Sequence, residues 1–173
     1  LEGLGVDALG INCGLGPKQM KEIVKELLKY ASIPVIVNPN AGLPRSENGK
    51  TVFDVGAEEF AEDMEEIVTM GAWFAGGCCG TTPAHIQAMV EKCKEITPVP
   101  ITPKNYTFVT SYSTAVELGG IPVIIGERIN PTGKSKFKQA LRDHNIDYIL
   151  EEGVKQEDSG AHTVSYTHLR AHE

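Results

Sequence analysis

Ala72-Trp73-Phe74-Ala75-Gly76-Gly77-Cys78-Cys79-Gly80-Thr81-Thr82-Pro83 is a short apolar run that ends in a glycine-flanked cysteine pair and hands over to a proline-led segment. Side chains of an extended strand alternate between faces, so two adjacent thiols on a regular strand cannot reach one metal ion. The flanking glycines allow the bend that turns both the same way. A third cysteine lies in Gly10-Ile11-Asn12-Cys13-Gly14, also at the end of an apolar run. Three thiolates meeting at one point suit zinc and leave a fourth position open to water or substrate. Two other readings stand beside this one: cysteines as small buried hydrophobes, and a vicinal disulfide between Cys78 and Cys79.

Outward from the pair, strands and helices alternate. Val6 to Ile11 reads as a strand, and Pro17 to Tyr30 as a helix with Met20, Ile23, Val24, Leu27, Leu28 and Ala31 at the helical period. A strand follows at Ile33 to Val37. After a loop containing Pro44, Asn48 and Gly49, a helix runs from Ala57 to Met70 with Phe60, Ala61, Met64, Ile67 and Val68 inward. Ala72 to Ala75 is the next strand, and a helix begins near Pro83 with Ile86, Met89, Val90 and Cys93 on one face. Repeated βα units with short connections predict a parallel sheet with helices outside. Both cysteine sites fall where a strand meets its helix, the end of a (β/α)₈ barrel that carries chemistry.

The predicted fold class is α/β, a partial (β/α)₈ TIM barrel. Residues 1–96 would be its last three βα units, since a whole barrel takes about 250 residues. Residues 97–120, with Pro98, Pro100 and Pro103, read as an interdomain linker. Residues 121–162 read as the first βα unit of a second TIM barrel, with a strand at Pro122 to Gly126, a helical stretch around Phe137, Ala140 and Leu141, and a helix from Tyr148 to about Glu157. Residues 163–173 are polar, show no buried-strand pattern and read as a non-native tail. The first residue is Leu1, and a strand is due at once, so the sequence is expected to lack the start of its domain.

Lys plus Arg is 16 and Asp plus Glu is 23, a formal charge of 16 − 23 = −7. This balance argues against nucleic acid and anionic membrane as partners. No apolar run approaches the roughly 20 residues that span a bilayer, and there is no basic-then-apolar leader. Four cysteines in 173 residues are too few for a disulfide scaffold. A cytoplasmic protein is expected.

Asn12-Cys13-Gly14 together with Gly76-Gly77-Cys78-Cys79-Gly80-Thr81-Thr82-Pro83, separated by 78 − 13 = 65 positions, resembles the zinc motifs of the cobalamin-dependent methionine synthase family. Ile125-Gly126-Glu127-Arg128-Ile129-Asn130-Pro131-Thr132-Gly133-Lys134 resembles the opening strand of that family's folate-binding (pterin) barrel. The resemblance covers residues 1–162 and runs across the junction of the homocysteine-binding and pterin-binding barrels. It implies Zn²⁺ held by Cys13, Cys78 and Cys79, with no catalytic residue beyond these ligands. It further implies homocysteine as substrate, methylcobalamin as methyl donor, 5-methyltetrahydrofolate to recharge the cobalamin, and Glu127 and Asn130 on the pterin side. The remaining modules of the same polypeptide would be its partners.

Two departures bear on activity. The strands that supply most substrate contacts in the family precede this sequence, and an Ile-Leu-Asp-Val-Asn strand due after Gly160-Ala161-His162 is replaced by Thr163 to Glu173. The cobalamin module is absent too. The chain is therefore expected to be inactive alone. The alternatives are another zinc-dependent homocysteine S-methyltransferase with a different methyl donor, and a non-catalytic zinc-binding fragment.

Several residues carry a plainer reading. Glu127 and Asn130 also suit the turn into the following helix, and Asn38 and Asn40 suit a turn as well as a substrate contact. His85 is expected to sit solvated in the first turn of its helix, and Cys93 to fill core. Glu58, Glu59, Glu62, Asp63, Glu65 and Glu66 read as the solvated face of their helix.

Overall fold

A computed structural model describes residues 1–166 and divides into two compact units, the second beginning at Asn105. The first contains β1 (Leu9–Asn12), α1 (Pro17–Tyr30), β2 (Val35–Asn38), β3 (Arg45–Glu47), β4 (Lys50–Val52), α2 (Ala57–Met70), β5 (Phe74–Ala75) and α3 (Pro83–Cys93). β1, β2 and β5 form a parallel sheet in chain order, with Asn12 opposite Asn38 and Val37 opposite Ala75. The carboxyl ends of the strands therefore stand side by side, and the loops that follow them share one edge. The fold is mixed α/β, with no closed barrel among the described residues.

Local residues mark the helix ends, and the core holds the helices on the sheet. α1 has proline in its first turn, and α2 ends at Gly71, whose φ of 129° suits a residue without a side chain. Met20 and Val24 of α1 and Phe60, Ala61, Met64 and Ile67 of α2 pack with Val35 and Val37 of β2 and Met89 of α3. α2 lies against both α1 and α3. Phe60, Met64 and Ile67 are fully buried, and each such side chain contributes roughly 1.5–3 kcal/mol by leaving water. Ile23 and Val90, expected inward from the helical period, are about half exposed. The acidic face of α2 is not uniformly solvated. Lys21 of α1 reaches Asp63 at 2.7 Å and Glu66 at 2.6 Å, and the Asp63 side chain is only 13% exposed.

The stretch expected as a plain loop after β2 contains a hairpin. Arg45–Glu47 pairs antiparallel with Lys50–Val52 across Asn48 and Gly49, both at positive φ (51° and 73°). This is the backbone that a two-residue Asn-Gly turn demands.

The second unit holds β6 (Thr107–Thr110), β7 (Ala115–Leu118), β8 (Ile125–Ile129), α4 (Ser135–Arg142), α5 (Ile146–Asp158) and β9 (Thr163–Tyr166). Two sequence expectations are corrected here. The stretch 97–120 is not wholly irregular, because β6 and β7 pair as an antiparallel hairpin closed by Ser111 and Thr114. Thr163–Tyr166, read as lacking a strand pattern, pairs parallel with β8, with Ile125 opposite Thr163. The physical reason is backbone pairing: β8 offers an open row of N–H and C=O groups, and a polar, β-branched segment can fill it. The rest of the 163–173 stretch lies outside the described residues.

Candidate metal centre

Cys13, Cys78 and Cys79 converge, their sulfur atoms lying within 4.8 Å of one another. Cys13 Sγ is 3.8 Å from Cys79 Sγ, and Cys78 Sγ is 3.8 Å from Cys79 Sγ. Zinc–sulfur bonds of about 2.3 Å at tetrahedral angles place sulfurs about 3.8 Å apart, so the donor set fits a zinc ion. No disulfide joins the pair, and all the cysteines are free.

Backbone geometry brings the thiols together. Cys13 directly follows β1 with φ of 65°, a left-handed conformation uncommon for a residue with a side chain, and Gly14 comes next at 77°. Its N–H donates to Asn38 O at 3.0 Å, tying the turn to the end of β2. Cys78 N–H donates to Pro39 O at 2.7 Å, and Ala41 N–H donates to Cys79 O at 2.9 Å. The N–H of Thr81 and its hydroxyl both donate to Cys78 O, at 3.2 and 2.7 Å. Gly80, at φ of 80°, completes the bend with the Phe53 ring where a side chain would otherwise stand.

Asn40 is the polar residue most enclosed by the site. It is 2% exposed, and its Oδ1 accepts the Cys79 N–H at 3.1 Å. The sequence left it between a turn role and a substrate contact; in the structure its Oδ1 supports the thiol loop. The signal was present in Asn38-Pro39-Asn40, a rigid polar turn at a strand end, but nothing in the sequence named its partner.

The thiols differ in acidity. A hydrogen bond from the Gly14 backbone, helped by Cys78, Cys79 and Asn40, lowers the Cys13 pKa. Cys79 is pushed up to about 11, first by its hydrogen bond to Cys13, then by Cys78 and the negative charge these neighbours carry. Ionisation is thus favoured at Cys13 and opposed at Cys79. Cys93 stands apart: it is half-buried against the core, and burial raises its pKa, with Glu65 adding to the effect.

His85 belongs to neither the thiol cluster nor open solvent. It is half-buried, with hydrogen bonds at both ring nitrogens. In the second unit, Glu127 pairs with Lys134 at 3.0 Å, and Asn130 Oδ1 accepts the Thr132 N–H at 2.9 Å. Asn130 therefore makes the turn contact its residue type favours. Glu127 also lines an open groove of about 450 Å³ with Arg128, Glu152, Lys155 and Gln156. Among the described residues no helix is long and apolar enough to cross a membrane.

The chain has relatives among known proteins. A family model described as homocysteine S-methyltransferase matches residues 1–93. The chain is 37% identical over 171 residues to the methionine synthase of Mycobacterium leprae, and 34% identical over 165 residues to that of Mycobacterium tuberculosis. Each alignment covers 94% of the chain but 14% of the relative, so the chain spans about a seventh of the length of these curated proteins.

Proposed function

This chain belongs to the homocysteine S-methyltransferase family, and we propose that Cys13, Cys78 and Cys79 form the zinc centre of a longer methionine synthase that methylates homocysteine. The observation that carries the proposal is the convergence of three sulfurs at zinc-like spacing where two parallel strands end. On this reading residues 1–96 are the closing βα units of a (β/α)₈ barrel, residues 97–120 connect to the next domain, and residues 121–162 begin a second barrel. The parallel order β1, β2, β5 supports the first of these.

Zinc bound there would supply a fourth position for the substrate sulfur and hold it as thiolate, the nucleophilic form. The chain's own residues prepare that position. Gly14 and Asn40 favour the ionised Cys13, and Asn40 fixes the backbone of Cys79. The left-handed turn at Cys13 aims its thiol at the other two. The net reaction moves a methyl group to the substrate sulfur, whose proton leaves to solvent on binding. The methyl group would come from cobalamin carried by another module, itself recharged from 5-methyltetrahydrofolate. Glu127 and Asn130 are proposed to meet the pterin of that donor once their present partners, Lys134 and Thr132, give way.

Positioning reacting atoms is worth roughly 7–11 kcal/mol of a barrier, and on this reading the strands that would grip the rest of the substrate belong to the longer protein. The expected activity of the chain alone is therefore nil. The test uses the cobalt(II)-loaded chain and homocysteine. An added thiolate-to-cobalt absorption band with homocysteine, but not with methionine, is the expected result. No spectral change at saturating homocysteine would refute an open thiol-accepting position.

A further inference from the structure

The thiol loop, the loop after β2 and the segment before α2 are joined by a ring of hydrogen bonds that His85 closes. Ala41 N–H donates to Cys79 O at 2.9 Å, and Val55 N–H donates to Ala41 O at 3.1 Å. Val55 O in turn lies 3.0 Å from Nε2 of His85. The other ring nitrogen, Nδ1, is 3.3 Å from the Thr82 backbone nitrogen, which can only donate. Nδ1 is therefore the acceptor, and Nε2 carries the proton and donates to Val55 O. From Thr82 the chain runs back through Gly80 to Cys79, completing the ring.

The ring is built for rigidity. His85 sits in the first turn of α3, and its bond to Thr82 forms half of a capping box. Its imidazole stands edge-on to the buried Phe60, with centroids 5.5 Å apart and planes at 83°. An imidazole offers an acceptor and a donor on opposite sides of one inflexible plane. It can hold the helix start and Val55 at once, and through Val55 and Ala41 it restrains the carbonyl of Cys79.

We propose that His85, as its Nε2–H tautomer, is a positioning residue that fixes the Cys78–Cys79 loop for metal binding. The inference rests on the metal-centre reading above. It assigns the greater share to the Val55 link, which is partly buried, whereas the Thr82 link is exposed and water can replace it.

Two substitutions isolate the Val55 link. In His85→Asn the side-chain oxygen can still accept from Thr82, but the reach to Val55 is lost. In His85→Gln the terminal NH₂ can still donate to Val55 O, and its Oε1 is the acceptor a capping box favours at this position. Cobalt(II) affinity of the full chain is read from the thiolate-to-cobalt bands, and helix content from circular dichroism. Outer partners of metal ligands typically alter affinity about 10–100-fold. The expected result is His85→Asn weakened about tenfold or more and His85→Gln close to wild type, with the same helix content in both. Equal affinity for His85→Asn and wild type, or equal losses in the two variants, would overturn the inference while leaving the metal centre standing. Failure of the wild-type chain to bind cobalt would overturn both.

Discussion

The backbone N–H of Cys79 points at Oδ1 of Asn40, 3.1 Å away, and Asn40 is nearly sealed from solvent. One of the three clustered cysteines is thus held through its backbone by a side chain from the neighbouring strand end. Asn40→Ala would leave that N–H without its acceptor and open a small void. A loss of about 1–3 kcal/mol in stability is expected. Urea unfolding followed through Trp73, the single tryptophan, measures it. An unchanged midpoint would mean that the bond does not restrain the loop.

Cys13 adopts φ of 65°, where an L side chain is strained and glycine is not. Cys13→Gly and Cys13→Ala both delete the thiol, so they differ chiefly in backbone preference. The glycine variant is expected to melt about 4 °C higher than the alanine variant, with metal binding lost in both. Equal melting temperatures would show that the turn relaxes without cost.

Metal affinity should rise with pH. Thiols bind metal as thiolates, so bound protons must leave. Cys13 is already shifted toward the ionised form, while Cys79 is held protonated up to about 11. Across neutral pH binding displaces at least the Cys79 proton, and the apparent affinity should gain at least about tenfold per pH unit. Acid should release the metal by the same linkage. Competition against a chromophoric chelator at pH 7 and pH 8 reads the slope, and a flat response would exclude Cys79 as a ligand.

β5 lies at one side of the three-stranded sheet, and its Phe74 is 51% exposed. Exposed, apolar strand edges recruit other chains. The isolated chain is expected to self-associate at high concentration, and Phe74→Lys to reduce this. Light scattering of the two proteins at matched concentration decides the point; identical scattering would place the association elsewhere.

Legibility in the sequence followed how local each signal is. α1 and α2 run from Pro17 to Tyr30 and from Ala57 to Met70, the limits their periodicity and end residues mark. The convergence of Cys13 with Cys78 and Cys79 was also legible, since strand ends in a parallel βα array share one edge. The β3–β4 hairpin was passed over although Asn48-Gly49 is a strong turn signal, because Arg45-Ser46-Glu47 lacks an apolar face. β6 and β9 were missed for a related reason: exposed or polar strands form from backbone pairing, which composition does not record. Asp63 looked solvated because its helix is acidic, and only the packing of α1 brings Lys21 to it. His85 was hardest to read, since its partner Val55 is a backbone carbonyl thirty positions away.

The most direct test of the account is zinc content per chain after gel filtration, for wild type, Cys93→Ser, and the Cys78→Ser/Cys79→Ser double variant. Cys93 packs away from the cluster, so its variant controls for thiol loss in general. The account predicts about one zinc in wild type and in Cys93→Ser, and none in the double variant. Zinc retained by the double variant would contradict it.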